Sequence, residues 1–167
     1  MSLIRFEAPI VVIGDRSIVR LPSEASHALP SRGQVAATGS VGSAPVKTVL
    51  EPDGLRGHWM DVSGRAGDIV SVELEPTKLW PEPSVPRDFR IALDHAADTA
   101  ETWADITPMA RWEWVRWINS TRVVSTRERR IEVAIDKLRR GNRRPCCFDL
   151  SSCTDPELSK NGKLVDA

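Results

Sequence analysis

The 167 residues suit one ordinary domain, or a small domain with a helical appendage, and are too few for two full hydrophobic cores. Lys plus Arg and Asp plus Glu stand at 23 each, so no net field draws the whole chain onto nucleic acid or an anionic membrane. No run approaches the roughly 20 apolar residues of a membrane span, and the N-terminus lacks a basic-then-apolar secretory signal; the expected location is cytoplasmic.

The overall neutrality hides an asymmetry. Residues 1–110 carry 10 Lys/Arg against 15 Asp/Glu, whereas residues 111–144 carry 11 against 4. The basic charge is thus concentrated in the C-terminal third. Three cysteines, Cys146, Cys147 and Cys153, crowd near the C-terminus, an odd number in a place unsuited to stapling a core, so reduced thiols are expected.

Residues 3–13 begin as an alternation, Ile4, Phe6 and Ala8 against Arg5 and Glu7, and then become continuously apolar, which predicts one strand. Gly14 and Asp15 supply a turn, Ile18 to Leu21 the return strand, and Pro22 its end. Further strands are predicted at Gln34 to Val41, Pro45 to Leu50 and Gly57 to Val62, separated by Gly42-Ser43 and Pro52-Asp53-Gly54. Residues 68–75 close the series, with Val70, Val72 and Leu74 inward. About six short strands at this spacing fit a small closed, double-split-like β-barrel over residues 1–76.

Composition changes at a proline-rich linker, residues 77–85, and a helical region is expected over residues 86–141, packed on the barrel. Pro86 suits a first helical position, with Phe89, Ala92, Leu93 and Ala96 at helical spacing. Asp98 with Glu101 reads as a capping box, and Thr107-Pro108 opens a helix running to about Asn119. Ser125 with Glu128 reads as a second capping box, for a last helix that Gly141 stops. The class is therefore α+β, a barrel followed by three to four helices. Residues 142–167 show little apolar periodicity and are expected to be a poorly ordered tail.

The run Pro108, Arg111, Trp117, Ile118, Thr126-Arg127, Arg129-Arg130-Ile131, Leu138 and Gly141 resembles the helical signature of the bacterial YdeI/OmpD-associated, or bacteriocin-protection, family. The N-terminal part is similar to the small barrel domain of unknown function that often precedes it. The supporting residues are Phe6 with Ala8, Leu21-Pro22, Gly67-Asp68, Val70 with Val72, and Val85-Pro86 with Ala92-Leu93. The resemblance covers roughly residues 3–144. It departs from the pattern in a short connection from Asp61 to Gly67 and in Pro76-Thr77, which stands where relatives carry an acidic residue. A ligand contact made there by relatives is not carried over. The resemblance implies a fold and a loose association with bacteriocin or stress resistance, and no chemistry.

At 100° per residue, Ile131, Ala134, Ile135 and Leu138 form one apolar arc, Arg127 falls inside it and Arg130 at its edge. A guanidinium aimed at a core keeps its charge and must find a carboxylate, carbonyl oxygens or an anionic ligand. The plainer reading is an internal pair with Asp88 or Glu113, or helix-end carbonyls; the functional one is a small anion site where barrel and helices meet. Arg127 and Arg130, with Arg111 and Trp117 from the same signature, make up that candidate ligand site. Trp114 and Trp117 share an arc with Val115 and Ile118 and read as core, whereas Trp112 projects with Arg116 and Asn119 and is a candidate interface contact.

Arg139, Arg140, Arg143 and Arg144 could meet phosphates, but a solvated helix end is the favoured reading, since arginines there stabilise the helix in any case and no nucleic-acid reading motif accompanies them. Adjacent Cys146-Cys147 lacks zinc-ligand spacing, and His27, His58 and His95 are scattered, so no metal and no cofactor are expected. None of the common catalytic motifs is present. The leading expectation is a non-enzymatic small-ligand-binding or stress-protection protein that takes a small anionic ligand. Weak nucleic-acid binding by the basic helix end is the alternative, and an enzyme of unknown class the last.

Overall fold

A computed structural model describes residues 3–145 and 151–165. The chain forms two compact units: residues 1–81 with 149–167, and residues 82–148. No helix among the described residues is long and apolar enough to cross a membrane.

The first unit is a nearly closed antiparallel barrel of seven strands: β1 (Ile4–Pro9), β2 (Val11–Ile13), β3 (Arg16–Arg20), β4 (Val35–Val41), β5 (Ala44–Pro52), β6 (His58–Asp61) and β7 (Ile69–Pro76). Their order is β1-β7-β4-β5-β6-β3-β2, so the two end strands are consecutive in the chain. The single expected strand over residues 3–13 is broken at Ile10, whose amide donates to the Asp68 carbonyl (2.8 Å) and whose carbonyl accepts from Gly67 (2.9 Å). That corner turns the chain from the β7 side of the sheet to the β3 side and brings the strands to seven where about six were expected. β5 performs the same service at the other side, pairing with β4 over Ala44 to Leu50 and with β6 at Glu51 and Pro52.

Alternation fills the interior. Ile4, Ala8, Val19, Val35, Ala37, Leu50, Met60, Val72 and Leu74 point inward and form one core, joined by Leu21, Ala25 and Leu29 around a short helix, α1 (Ser23–His27). Each of the Ile, Val, Leu and Met side chains contributes about 1.5–3 kcal/mol by leaving water, and the alanines less. Residues 22–33 read only as a polar connection in the sequence, because a five-residue helix gives too few turns to show a period.

α1 is fastened by a buried network. Ser26 and His58 are each 1% exposed. His58 Nε2 lies 2.8 Å from the Gly33 carbonyl, which only accepts, so Nε2 carries the proton and Nδ1 accepts from the Ser26 hydroxyl at 2.6 Å. Arg32 donates to Ser26 Oγ (3.2 Å) and to the carbonyls of Ser26 and Leu29.

The segment expected to be a poorly ordered tail is instead packed over residues 151–165. A two-stranded hairpin, β8 (Ser159–Lys160) and β9 (Lys163–Leu164), turns at Asn161-Gly162, and Cys153, Leu158 and Leu164 are buried with Ile18 and Trp59. The positive φ values of Asn161 (54°) and Gly162 (76°) are those of the hairpin turn that Asn-Gly favours.

The second unit holds α2 (Arg87–His95), a 3-10 turn (Ala97–Thr99), α3 (Ala100–Asp105), α4 (Pro108–Asn119) and α5 (Val124–Arg139). Its core is Phe89, Leu93, Ile106, Ala110, Trp114, Val115, Ile118, Ile131, Ala134 and Leu138. Several start signals act differently from expectation. Pro86 is the cap of α2, one residue before its first turn. Neither capping box forms: α3 follows directly on the 3-10 turn, leaving Asp98 free to reach Arg139, and α5 starts one residue before Ser125, with Val123 at its cap. The expected stop at Gly141 is a Schellman motif, with Gly141 N–H on the Leu138 carbonyl (3.0 Å) and Asn142 N–H on that of Lys137 (2.9 Å).

Two outcomes follow for the barrel unit. A Cβ on Gly39 would lie 1.8 Å from the Glu73 carbonyl oxygen across the β4–β7 ladder, whereas one on Gly42 (φ 59°) meets nothing within 4 Å. Gly39→Val should therefore cost about 3 kcal/mol or more in denaturant unfolding, and Gly42→Ala only about 1–2 kcal/mol. Burial first, and the Arg32 charge after it, hold the His58 pKa below the ordinary imidazole value. The unfolded chain then takes up a proton that the folded chain refuses, so this contribution is complete above about pH 6.5 and declines as pH falls through that value. Urea midpoints measured from about pH 7.5 to about pH 5 should drop, and His58→Gln should flatten that drop; an equal drop in the variant would assign it to other groups.

Candidate functional site

α4 opens as its residues dictate: Thr107 caps it, its Oγ1 accepting from Ala110 N–H at 3.2 Å, and Pro108 takes the first helical position. Its far end at Asn119 has no glycine stop, and the carbonyls there are satisfied from α5. Arg127 donates to the Ile118 carbonyl (3.2 Å) and to Asn119 Oδ1 (3.0 Å). Its other two nitrogens hold Asp88 in a bidentate pair, Nε to Oδ2 at 2.6 Å and Nη2 to Oδ1 at 3.0 Å. Arg130 donates to the Trp117 carbonyl (2.7 Å) and Ser120 Oγ (2.5 Å), and its guanidinium lies 5.5 Å from the Trp117 ring centroid. The hydrogen bonds from Arg127 drive the Asp88 carboxyl below the usual carboxylate range.

Arg111 does for α3 what these two do for α4. It donates to the carbonyls of Trp103 (2.9 Å) and Ile106 (2.6 Å) and grips Glu82 through Nε (2.9 Å) and Nη2 (2.6 Å). Arg127, Arg130 and Arg111 are thus each occupied by helix-end carbonyls, and two of them by a carboxylate as well. Trp117 packs edge-on against Trp114 at 6.2 Å.

The basic run is neutralised residue by residue. Arg139 pairs with Asp98, Arg140 with Asp136 (3.1 Å), Arg143 with Asp105 (2.6 Å) and Arg144 with Glu113 (3.4 Å). Arg143 also donates to the Asp105 carbonyl (3.1 Å), a further hydrogen bond at the end of α3.

A second group lies on α4. Among the described residues Glu113 (6% exposed) and Arg116 (7%) are the charged side chains that are buried. Burial pushes the Glu113 carboxyl above its usual range, against the pull of Arg144 and then Arg116. The Arg116 guanidinium lies 5.7 Å from the ring centroid of Trp112, which remains partly exposed. Helical spacing had set Arg116 apart from the core, on the Trp112 side; the structure keeps the pairing and buries the arginine. The available signal was Glu113 three positions ahead of Arg116, opposite charges on one face of a helix with three tryptophans.

Other reactive groups are closed off. Ser26 and His58 form a hydroxyl–imidazole pair, but at 1% exposure neither meets solvent, so the pair serves as a structural fastening. Burial pushes the Cys153 thiol up to about 11, so it is protonated at neutral pH. Cys146 and Cys147 lie outside the described residues. Among the described residues no three His, Cys, Asp or Glu side chains come together as metal ligands.

Comparison with known proteins fits this division. Residues 6–74, from β1 into β7, match a domain of unknown function, DUF1905. Residues 82–141, α2 to α5 inclusive, match the family described as bacteriocin-protection, YdeI or OmpD-associated. No curated protein matches the chain. A DUF1905 barrel therefore stands ahead of a helical unit that is similar to the YdeI/OmpD-associated, bacteriocin-protection family.

Proposed function

We propose that this is a non-enzymatic binding protein of the protective kind that the matched family's description suggests, and that it meets a small anionic ligand through the Trp112–Arg116 face of α4. The observation that carries this reading is the pairing of a partly exposed indole with a buried guanidinium 5.7 Å from its ring centroid. Such a pair offers a partly exposed aromatic surface backed by a buried cation, which suits the flat or apolar body of a ligand that carries an anionic group. Arg127 and Arg111 fit a supporting role better, because a ligand taking them would remove the donors to the Ile118, Trp103 and Ile106 carbonyls, at about 1–3 kcal/mol for each that is buried, and Arg130 shares the Trp117 carbonyl with Ser120.

The nucleic-acid alternative has less support. Arg139, Arg140, Arg143 and Arg144 each hold a carboxylate, so a phosphate backbone would meet a surface already neutralised.

The test separates the two groups of residues. Expressed in a bacteriocin-sensitive bacterium, the wild-type chain should raise survival, and Trp112→Ala should abolish that gain while melting within about 3 °C of the wild type. Protection by Trp112→Ala equal to that of the wild type, or none by the wild type, would overturn the reading. Arg127→Met, by contrast, should lower stability by about 2–4 kcal/mol in urea, since it leaves Asp88 and the end of α4 unanswered; a loss below about 0.5 kcal/mol would show that the cap is dispensable.

A further inference from the structure

The outer wall of the barrel carries a feature that the α4 site does not use. Directly paired residues of neighbouring antiparallel strands face the same side, and the pairs Val11 with Ile18, Ile13 with Arg16, and Arg20 with Trp59 place all six on the outside of β2, β3 and β6. The inward residues between them, Val19 and Met60, belong to the barrel core. The result is an apolar strip, Val11, Ile13, Ile18 and Trp59, with Arg16 and Arg20 along it.

Residues 151–165 occupy this strip. Cys153, Leu158 and Leu164 cover Ile18 and Trp59, which are 0% and 3% exposed as a result. Asp155 reaches Arg16 at 2.7 Å with Glu157 behind it at 3.7 Å, and the Val165 carbonyl accepts from Arg20 at 2.7 Å. One backbone bond, Leu164 N–H to the Asp53 carbonyl at 2.8 Å, ties the hairpin to the loop before β6. In sequence this segment is separated from β7 by the whole of the second unit.

The fit is incomplete at one atom. The indole Nε1 of Trp59 is buried, and among the described residues it is the buried side-chain nitrogen or oxygen left without a hydrogen bond. Cys153 belongs to the same buried cluster, and its sulfur would be a weak acceptor for that N–H. A buried N–H without a proper acceptor costs about 1–3 kcal/mol. An occupant that set a carbonyl or carboxylate oxygen there would hold the strip more firmly than the chain's own segment does.

We propose that the outer face of β2, β3 and β6 is a peptide-docking groove and that residues 151–165 sit in it as a self-ligand. The partner is an extended protein segment of the same chemistry: two aliphatic side chains for Ile18 and Trp59, an acid for Arg16 and a backbone carbonyl for Arg20. The self-ligand excludes this partner until it lifts away, which breaks two short arginine contacts and the Leu164–Asp53 backbone bond and uncovers Ile18 and Trp59 together with Cys153, Leu158 and Leu164, while the separate inner core of the barrel is untouched.

The probe is a fluorescein-labelled synthetic peptide with the sequence of residues 151–165, titrated by polarisation under reducing conditions. The full-length Leu158→Asp chain, whose own segment is unseated, should bind it about tenfold or more tightly than wild type, because the tethered competitor is gone. Adding Arg16→Glu should weaken that binding about tenfold. Where circular dichroism shows Leu158→Asp unfolded, full-length Asp155→Arg takes its place, since it turns the Asp155–Arg16 pair into a repulsion while Asp61, on the same face, still holds Arg16. Absence of a gain in peptide binding by the folded variant overturns the proposal. So does a dimer, seen by size exclusion, that the peptide fails to dissociate, because the face would then belong to a second copy of the chain.

Discussion

A helix of a dozen residues or fewer leaves a large share of its carbonyl oxygens at its end, and something must donate to them. α5 ends on backbone amides, but at the ends of α3 and α4 the main side-chain donors are guanidinium groups. Arg111 and Arg143 serve the end of α3, and Arg127 and Arg130 that of α4. Arginine suits this task because its planar fork can bond a carbonyl with one nitrogen while two others hold a carboxylate. Arg127 with Asp88 and Arg111 with Glu82 do both, so each links three pieces of chain. The side chains of Arg127 and Arg111 are only 24% and 13% exposed while Asp88 and Glu82 stand 47% and 62% exposed, so the bonds to the carbonyls are partly shielded and the ion pairs, like Arg129–Glu132, meet solvent. An exposed pair of that kind is worth at most about 1 kcal/mol, whereas removing a donor from a buried carbonyl costs about 1–3 kcal/mol.

This arrangement changes what an inward-facing arginine means. The apolar arc of α5 places Arg127 where its charge must be matched, and an anionic ligand is one way to match it. Asp88, the Ile118 carbonyl and the Asn119 side chain are another, and together they take four of the five N–H groups of this guanidinium. A signature rich in arginine and tryptophan thus describes how a small helical unit is held together before it describes a binding site. The α4 pair of Trp112 and Arg116 differs in that its aromatic surface remains partly open to solvent.

The barrel was legible in outline because its signal is local: strands alternate, and Val70, Val72 and Leu74 give their facing directly. The break at Ile10 was hidden because it lies in an unbroken apolar run, where alternation carries no information and only the partner strands decide where the chain turns. The capping boxes failed for a related reason. Ser125 and Glu128 satisfy the local pattern, but α5 begins at Val124 with Val123 at its cap, so Ser125 already lies inside the helix, and Asp98 is committed to Arg139 rather than to a backbone amide. Of the candidate site, the facing of Arg127 and Trp112 was readable from helical period, while the burial of Glu113 and Arg116 depends on tertiary neighbours that no period reveals.

Residues 151–165 present the opposite case, a strong signal overlooked. Asn161-Gly162 between short strands is among the clearest hairpin marks a sequence can carry, and Leu158 and Leu164 supply one apolar face. The barrel itself creates the need for such a cover. Where Val19 and Met60 face inward, their neighbours Ile18 and Trp59 must face outward, and two large apolar side chains on one outer wall would form an exposed patch. Strands that are apolar on both faces demand a second layer, and here the chain provides one only after an intervening unit of its own. A wall that is apolar, flanked by arginines and covered by a segment built from two-residue strands has the composition of a recognition surface already in use, with the chain as its own first occupant.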